Sequence, residues 1–275
     1  MSNMSKIVSI LAASLMASLV HAEECADIAQ RVAQLDFSKA ADVRANDHAT
    51  FTDLYKECDT HNTFGGKALP TFKGRPLKCS TDPNRVASVV QFADKTVAFK
   101  AKAAVDADGS PAACGPQKSA TDQCQTWFTY GAGSTRHFID AEQVPFVVVP
   151  LDAPSGSISF MKSTGIGKGD LAVVIRGNQC AFGVVGDAGP YFRLGEASVA
   201  AHAELGNPQC AGSERPCTRL RGGGGGVGIG SNVTYIVFPH SRPASLTAEN
   251  IVQVTTAGAK ERLEQFLGGN GAASQ

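Results

Sequence analysis

The chain of 275 residues has no excess of charge of either sign and no basic run. Lysine and arginine together number 25, and aspartate and glutamate also number 25. Phosphate binding relies on clustered basic side chains, so this balance argues against nucleic acid as a partner. The chain has no C-x-x-C pair, which excludes a zinc ribbon and a thioredoxin-type motif. Its histidines lack ligand spacing, and we therefore expect no metal and no other cofactor.

The sequence also lacks an apolar segment long enough to span a membrane comfortably. The run Ile7–Val20 is shorter than the about 20 residues that a spanning helix needs. Lys6 precedes this run and Val20-His21-Ala22 ends it, which is the pattern of a signal peptide cleaved after Ala22. We therefore expect a secreted protein, extracellular or periplasmic, with no membrane partner.

Cysteine, by contrast, is plentiful. All eight cysteines follow the expected cleavage point, and an even number outside the cytosol favours disulfides. The expected local bridges join near neighbours in the sequence, Cys114–Cys124 and Cys210–Cys217. A bridge between Cys25 and Cys58 would join two predicted helices near the N-terminus.

Apolar periodicity divides the chain into a helical beginning and a strand-rich remainder. Residues 26–35 and 48–58 place apolar side chains on one face at helical spacing. After Asn84 the segments are short, rich in Val and Ile, and bounded by Gly, Pro, Asn and Asp, as in β-strands. The predicted strands are Val86–Phe92, Thr96–Val105, Val144–Val149, Ile158–Met161, Leu171–Arg176, Ala181–Val185 and Val233–Phe238.

Few helices lie between these strands, which favours a compact, mainly β barrel with peripheral helices over alternating βαβ units. Gly177-Asn178 predicts a hairpin turn. We expect a helix over Glu196–Leu205 and two C-terminal helices over 245–254 and 258–267. The glycine-rich stretch Arg221–Asn232 leads into a strand and lacks G-K-[ST], so it is not a phosphate-binding loop. It is either a loop at a cleft or a plain connection.

One stretch, VVGDAGPYFRLGEAS at residues 184–198, combines two acids with apolar and small neighbours. Asp187 follows a predicted strand, and Glu196 begins a predicted helix. The extended chain between them would span about 30 Å, but Gly189-Pro190 predicts a reversal that lets both side chains face one cleft. Two carboxyl groups in one cleft are the minimum for cleaving a glycosidic bond. The alternative is a turn Asp and a helix-start Glu without a chemical role.

The segment VVGDAGPYFRLGEASVAAHAELG resembles the catalytic segment of glycoside hydrolase family 75, the fungal-type endo-chitosanases and their bacterial relatives. FKAKAAVDADGSP at 99–111 and HFIDAEQVPFVVVP at 137–150 are similar to further family segments, as are KGDLAVVI and VTYIVFPHS. The resemblance covers roughly residues 72–254 and matches the family's two essential carboxylates to Asp187 and Glu196. The chain departs from several relatives in having Pro239-His240-Ser241 where they have Pro-Gly-Ser.

This resemblance implies an endo-acting hydrolase of a β-1,4-linked amino-sugar polymer, inverting at the anomeric carbon, on a double-psi-like β-barrel. Inversion needs one protonated and one ionised carboxyl group about 6.5–9.5 Å apart. A helix N-terminus would favour an ionised Glu196, and apolar neighbours would favour a protonated Asp187. On that basis we expect Asp187 as the acid and Glu196 as the base.

Chitosan is a polycation in mild acid, so the groove that binds it should be acidic. Four acids are the candidates to line this groove, namely Asp106, Asp108, Asp140 and Glu142. The alternative for the first two is a plain turn, since Asp and Gly favour that geometry. The aromatic group Trp127, Phe128 and Tyr130 either stacks on sugar rings or belongs to the core.

These observations predict four parts of the chain. They are a signal peptide at 1–22, a helical N-terminal segment and linker at 23–71, a catalytic β-barrel domain at 72–257, and a C-terminal helix with a disordered tail at 258–275. We expect a monomer that acts on a chitosan-like polysaccharide. A secreted barrel that binds polysaccharide or peptidoglycan without cutting it is the main alternative, and an inhibitor or protein-interaction module built on the disulfides is another.

Overall fold

A computed structural model describes residues 20–131, 136–154 and 156–270. Within these ranges the centre of the molecule is a closed β-barrel surrounded by helices and short hairpins. The predicted mainly β barrel with few peripheral helices is thereby confirmed. The predicted signal peptide lies outside the described residues except for 20–22, and the last residues of the predicted tail, 271–275, also lie outside them.

The chain up to residue 84 packs helices and short strand pairs against the barrel. Helix α1 covers 20–33, and helix α2 covers Phe51–His61 with a capping box between Thr50 and Asp53. The buried side chains of α2 include Phe51, Leu54 and Tyr55, the apolar face that the sequence predicts. The strands of this segment are β1 (Ala41–Asp42), β2 (Thr63–Phe64), β3 (Lys67–Ala68), β4 (Thr71–Phe72) and β5 (Arg75–Pro76).

Further strands supply the barrel and one separate pair. They are β6 (Ser88–Gln91), β7 (Val97–Asp106), β8 (Thr129–Tyr130), β9 (His137–Phe138), β10 (Phe146–Pro150), β11 (Leu171–Arg176), β12 (Gln179–Gly189), β13 (Glu196–Ser198) and β14 (Ile229–Phe238). Most of them coincide with predicted strands, because alternating Val and Ile in short segments suit a pleated, buried sheet.

Six strands close the barrel in the order β7-β13-β10-β12-β11-β14, and β14 pairs back with β7. The pairs β10–β12 and β7–β13 are parallel, and the other barrel pairs are antiparallel. Strands β11 and β12 form the predicted hairpin, with Gly177 in the left-handed region at φ 54°. Strands β6 and β1 extend the sheet from β7.

Alternate residues of the barrel strands face two apolar cores. Val147, Val185 and Ala197 belong to one core, together with side chains of α2. Val148 and Val184 belong to the other, together with side chains of α1 and of the C-terminal helix. The two cores hold the strands between them in a fixed register, because a slip of one residue would exchange the faces.

Three predictions of local structure are wrong. Ile158–Met161 is not a strand, since Ser159 is the N-cap of helix α4 (Phe160–Thr164), which follows the one-turn helix α3 (Pro111–Cys114) along the chain. The predicted helix Glu196–Leu205 begins as strand β13, and helix α5 (Val199–Glu204) starts only after its N-cap Ser198. The two predicted C-terminal helices are one continuous helix, α6 (Ile251–Asn270).

Four disulfides join the cysteines, at Cys25–Cys180, Cys58–Cys79, Cys114–Cys124 and Cys210–Cys217. The two predicted local bridges are confirmed. The Cys25–Cys58 bridge is wrong, because α1 lies against β12 whereas the end of α2 lies against the loop that carries Cys79. No helix in the described ranges has the length and apolar character needed to cross a bilayer.

Candidate active site

Asp187 lies on β12 at a bulge where this strand runs beside β10. A Cβ on the preceding Gly186 would lie 2.5 Å from the Phe146 ring, so the strand can pass there only with glycine. Asp187 is 7% exposed. Its Oδ1 accepts hydrogen bonds from the backbone N–H groups of Trp127 at 2.9 Å and Ala188 at 2.7 Å.

Glu196 lies on β13, where it pairs with Ala104 of β7. The preceding Gly195 has φ 88°, and a Cβ there would lie 2.4 Å from the Lys102 carbonyl oxygen. Both acids thus follow a glycine that has no room for a side chain. Because Glu196 stands in a strand and not in the first turn of a helix, the helix-dipole argument for its ionised form does not hold.

Strand β10 lies between the strands that carry the two acids. Val148 pairs with Asp187 on one side, and Val147 pairs with Ala197 on the other, which sets Glu196 beside Val148. Two strand spacings, about 9–10 Å, therefore separate the two backbones. A Cβ on Gly189 would lie 3.6 Å from Glu196 Oε2, so the Glu196 carboxyl reaches across to the end of β12, two residues beyond Asp187.

Two further acids, Asp106 and Asp108, join Asp187 in one cluster. Carboxylate oxygens of the three lie within 4.8 Å of one another. Asp106 ends β7 and its Oδ1 accepts the Asp108 N–H at 2.7 Å, while Asp108 Oδ1 accepts the Gln123 N–H at 2.7 Å. Sequence reasoning expects these two acids along the substrate groove, and the structure brings them to the predicted catalytic Asp187.

This acid cluster has the donor type that binds Ca²⁺ or Mg²⁺, both of which prefer oxygen ligands. Backbone N–H groups already bond to one oxygen of each carboxyl. The arrangement fits a set of carboxyl groups that share protons better than it fits a cation site.

The proton distribution in this cluster follows from burial and from one shared hydrogen bond. Burial raises the pKa of Asp108 to about 7, and the hydrogen bond with Asp187 raises it as well. Burial also raises the pKa of Asp187, but the N–H donors of Ala188 and Trp127 and the hydrogen bond with Asp108 oppose that rise. The hydrogen bond between the two therefore favours the proton on Asp108 and the carboxylate form on Asp187.

Glu196 has a different environment. Burial raises the pKa of Glu196 to about 7, the Lys102 ammonium lowers it, and the Asp187 and Asp122 carboxylates raise it. Burial, followed by the Glu196 charge, also raises the pKa of Asp106 well above its usual value. Near neutral pH, Glu196 is thus poised to carry a proton and to release it.

A buried lysine stands beside Glu196. Lys102 is 5% exposed and forms an ion pair with Asp82, which also pairs with Arg193 at 3.5 Å. Lys102 and Ala104 share one face of β7, and Ala104 pairs with Glu196, so the ammonium lies on the side of the carboxyl. Burial lowers the pKa of Lys102, and the hydrogen bond with Asp82 opposes this change.

The loop between the two acids is anchored by the N-terminal segment. Asn84 is fully buried, and its side chain donates to the Phe192 carbonyl at 3.1 Å and accepts the Leu194 N–H at 3.0 Å. Asp59 of α2 holds Asn84 through two hydrogen bonds. The reversal that brings Asp187 and Glu196 together is therefore fixed by residues far away in sequence.

The other two predicted groove acids do not join the cluster. Asp140 accepts the N–H of Glu142 at 2.8 Å and the side-chain amide of Gln143 at 2.9 Å. Glu142 accepts the Cys217 N–H at 2.7 Å and pairs with Arg215 at 3.3 Å. These contacts tie a turn and the Cys210–Cys217 loop together.

The aromatic group divides between core and site. Phe128 is fully buried, and Tyr130 stacks on His137 at a centroid distance of 5.6 Å. Trp127 is half-buried beside Asp187, with the Lys168 ammonium 4.2 Å from its ring centroid. Trp127 contacts the predicted catalytic pair through its backbone N–H, which donates to Asp187.

Sequence reasoning missed three residues of this site, namely Lys102, Asn84 and Asp122. Lys100 and Lys102 alternate with apolar residues in β7 and look alike, yet Lys100 is exposed and Lys102 is buried. A lysine within an apolar strand is a signal for a buried charge, but Lys100 and Lys102 share one face of β7, so which of the two is covered follows only from the tertiary structure around the strand.

The comparisons with known proteins agree with this geometry. The family model described as fungal chitosanase of glycosyl hydrolase group 75 matches residues 103–265, which is more than half of the chain and includes the whole acid cluster and Glu196. No curated protein matches the chain. A family match of this extent over a barrel that carries these acids shows that the chain belongs to glycoside hydrolase family 75 and is a glycosidase of the chitosanase family.

Proposed function

We propose that this protein is a secreted endo-chitosanase that hydrolyses β-1,4 linkages of chitosan or a related amino-sugar polymer with inversion, using Glu196 as general acid and Asp187 as general base. The observation that carries the proposal is the position of the two acids on either side of β10. The two backbones are two strand spacings apart, about 9–10 Å, which is compatible with the about 6.5–9.5 Å between carboxyl groups that inversion requires. These roles are the reverse of those expected from the sequence.

Glu196 suits the acid role because it holds its proton near neutral pH. It would protonate the glycosidic oxygen as the bond to the anomeric carbon breaks. The Glu196 carboxylate left behind would then be stabilised by the neighbouring Lys102 ammonium. The positive charge of Lys102 is in place before the reaction and balances the negative charge that forms on Glu196.

Asp187 suits the base role because its carboxylate form is favoured by two N–H donors and by the Asp108 proton. It would accept a proton from the water that attacks the anomeric carbon from the opposite face. Asp106 and Asp108 would also face the polymer and bind it by hydrogen bonds, while the Asp187 carboxylate beside them would attract its ammonium groups.

The test is the release of reducing ends from chitosan by the parent protein and by Asp187→Asn and Glu196→Gln. Each variant should lower turnover by about 100- to 10,000-fold, the usual contribution of general acid or base catalysis. Glu261→Gln on the exposed face of α6 is the matched control and should leave turnover unchanged. A folded Asp187→Asn or Glu196→Gln protein with parental turnover would contradict the proposal, as would a parent that releases no reducing ends.

A chitosan oligomer with an activated aryl leaving group separates the two roles. Such a leaving group departs without protonation, so Glu196→Gln should recover most of its activity on this substrate whereas Asp187→Asn should not. The anomer formed first, followed by NMR, should be the inverted one. Recovery in Asp187→Asn alone would exchange the roles, and a retained anomer would exclude the inverting mechanism.

A further inference from the structure

A cavity of about 420 Å³ lies beside the loop that joins the two acids. Its volume falls in the range of small-molecule sites, about 300–1,000 Å³. Three parts of the chain form its walls: residues 46 and 48, the β2–β3 hairpin, and the loop that follows β10. Most of these wall residues precede residue 103, so they lie outside the part of the chain that matches the family.

Tyr191 connects this cavity with the active site. It lines the cavity and is two residues beyond Gly189, and the Glu196 carboxyl lies next to Gly189. Its ring meets Phe64 edge-on at 5.4 Å and Phe192 at 5.1 Å, so it is held as a half-buried aromatic wall. An aromatic ring in a concave site offers an apolar face together with a polar hydroxyl, a combination suited to a sugar ring.

The charge of this cavity differs from that of the acid cluster. Among the described residues that line it, the basic side chains are Lys67 and His48, and none is a carboxyl. The acids Asp106, Asp108 and Asp122 lie instead at the end of β7 and beyond it. A glucosamine ammonium would be attracted to the acid cluster and repelled by Lys67, whereas an N-acetylated sugar carries no charge to be repelled.

We propose that this cavity is a distal subsite that accepts an N-acetylglucosamine unit of the polymer, while the acid cluster accepts glucosamine. The inference rests on the proposed chitosanase activity and adds a substrate preference to it. The enzyme would then favour partly acetylated chains and would cut them with an acetylated unit at a fixed distance on one side of the broken bond.

The test compares partly acetylated chitosan with fully deacetylated chitosan as substrates. For the parent, kcat/KM should be higher on the partly acetylated polymer, and sequencing of the products by mass spectrometry should show acetylated units enriched on one side of the cleaved bonds. Lys67→Glu should shift the ratio of the two kcat/KM values by about fivefold toward the deacetylated polymer, the size of one exposed charge contact. Tyr191→Ala should lower kcat/KM on both polymers and abolish the enrichment. Lys56→Glu, an equally exposed lysine on α2 outside the cavity, is the control and should behave as the parent does.

The outcomes separate this inference from the activity on which it rests. Hydrolysis of both polymers with no enrichment in the parent, or with the parental ratio retained in Lys67→Glu, would overturn the subsite and leave the chitosanase activity standing. Release of no reducing ends from either polymer would overturn both. Lys67 lies on an exposed hairpin, so Lys67→Glu should fold as the parent does. The result for Lys67→Glu therefore decides the test if Tyr191→Ala fails to fold.

Discussion

At the scale of single residues, the two glycines before the acids fix the positions of the two proposed catalytic carboxyl groups. Gly186 and Gly195 each stand where a Cβ would collide with a neighbouring strand, at 2.5 Å from the Phe146 ring and 2.4 Å from the Lys102 carbonyl oxygen. The backbone therefore approaches its neighbours closely at both acids. Because the strands pack this closely, the backbone position of each acid is fixed by its neighbouring strand.

The Lys102 ammonium is expected to lower the pKa of Glu196. Burial raises the pKa of Glu196 to about 7 and the Lys102 ammonium opposes that rise, so Lys102→Met should raise this pKa further. Because a general acid acts in its protonated form, the proposed role of Glu196 predicts that activity is lost as pH rises through this pKa. The alkaline side of the pH profile of kcat, expected near 7 in the parent, should move to higher pH in the variant.

Lys102→Arg is the matched control for this prediction, because it retains the charge at the same position. Its profile should lie close to that of the parent, while the neutral variant should also have a lower maximal kcat, since the Glu196 carboxylate is no longer stabilised after proton transfer. An alkaline side that stays in place in a folded Lys102→Met protein would mean that Lys102 has only a packing role.

At the scale of elements, the loop between β12 and β13 is held in place by Asn84, which is about 110 residues earlier in the chain. Asn84→Ala removes the hydrogen bonds to Phe192 and Leu194 that hold this loop. A shift of about 1 Å at a reacting group can cost 100-fold in rate, so we expect kcat to fall by about 10- to 100-fold with a smaller change in KM.

Leu263→Ala on α6 is the control for Asn84→Ala. Leu263 is fully buried far along the chain from the acid pair, and its truncation should cost about 2–5 kcal/mol of stability while kcat at a temperature where the protein is folded stays parental. Both variants should be compared by Tm and by kcat. If Asn84→Ala lowers Tm but leaves kcat unchanged, as is expected for Leu263→Ala, catalysis does not require the loop to be anchored by Asn84.

The same elements show how far local sequence determines this fold. Leu171–Arg176 is a strand in the prediction and in the structure, because a short apolar run of Leu, Ala, Val and Ile between turns is typical of a buried strand. Glu196–Ser198 was expected to be helical, since its continuation is rich in alanine. Pairing with β7 and β10 makes these residues a strand, and that pairing depends on residues about 50 to 90 positions away.

The candidate site was predictable to a similar degree. Asp187 and Glu196 were predicted from their apolar and small neighbours and from the resemblance, and Asp106 and Asp108 were predicted, with Asp140 and Glu142, as acids lining a groove for a cationic polymer. Asp140 and Glu142 have the same local signal, yet they bond to their own turn and to the Cys210–Cys217 loop. Lys102 and Asn84 could not be identified, because their importance comes from burial next to a loop that only the closed barrel brings to them.

At the scale of the whole molecule, the site is expected to reduce stability near neutral pH. The pKa values of Glu196 and Asp108, both about 7 in the folded protein, lie above the unfolded values of about 4. Groups with raised pKa values contribute stability that is complete below the unfolded pKa and is lost as pH rises through the folded one. The Tm should therefore fall between about pH 5 and pH 8.

Asp108→Asn isolates this contribution, because the amide does not titrate and keeps a similar shape. The fall in Tm between pH 5 and pH 8 should be smaller in the variant than in the parent, by about 2–4 °C for each kcal/mol involved. Calorimetry at the two pH values measures it. An equal fall in parent and variant would mean that Asp108 does not titrate in this range.

The closure of the barrel by β14 on β7 has a consequence for the protein while it is being made. Strand β14 begins at Ile229 and pairs with residues 97–103 of β7, so the first of these partners leaves the ribosome long before the last. Until β14 arrives, β7 and β11 each present an open edge of unpaired backbone groups, which is a template for association with other chains. The barrel can therefore close only after β14 has been made, and a chain terminated before β14 would keep both edges open.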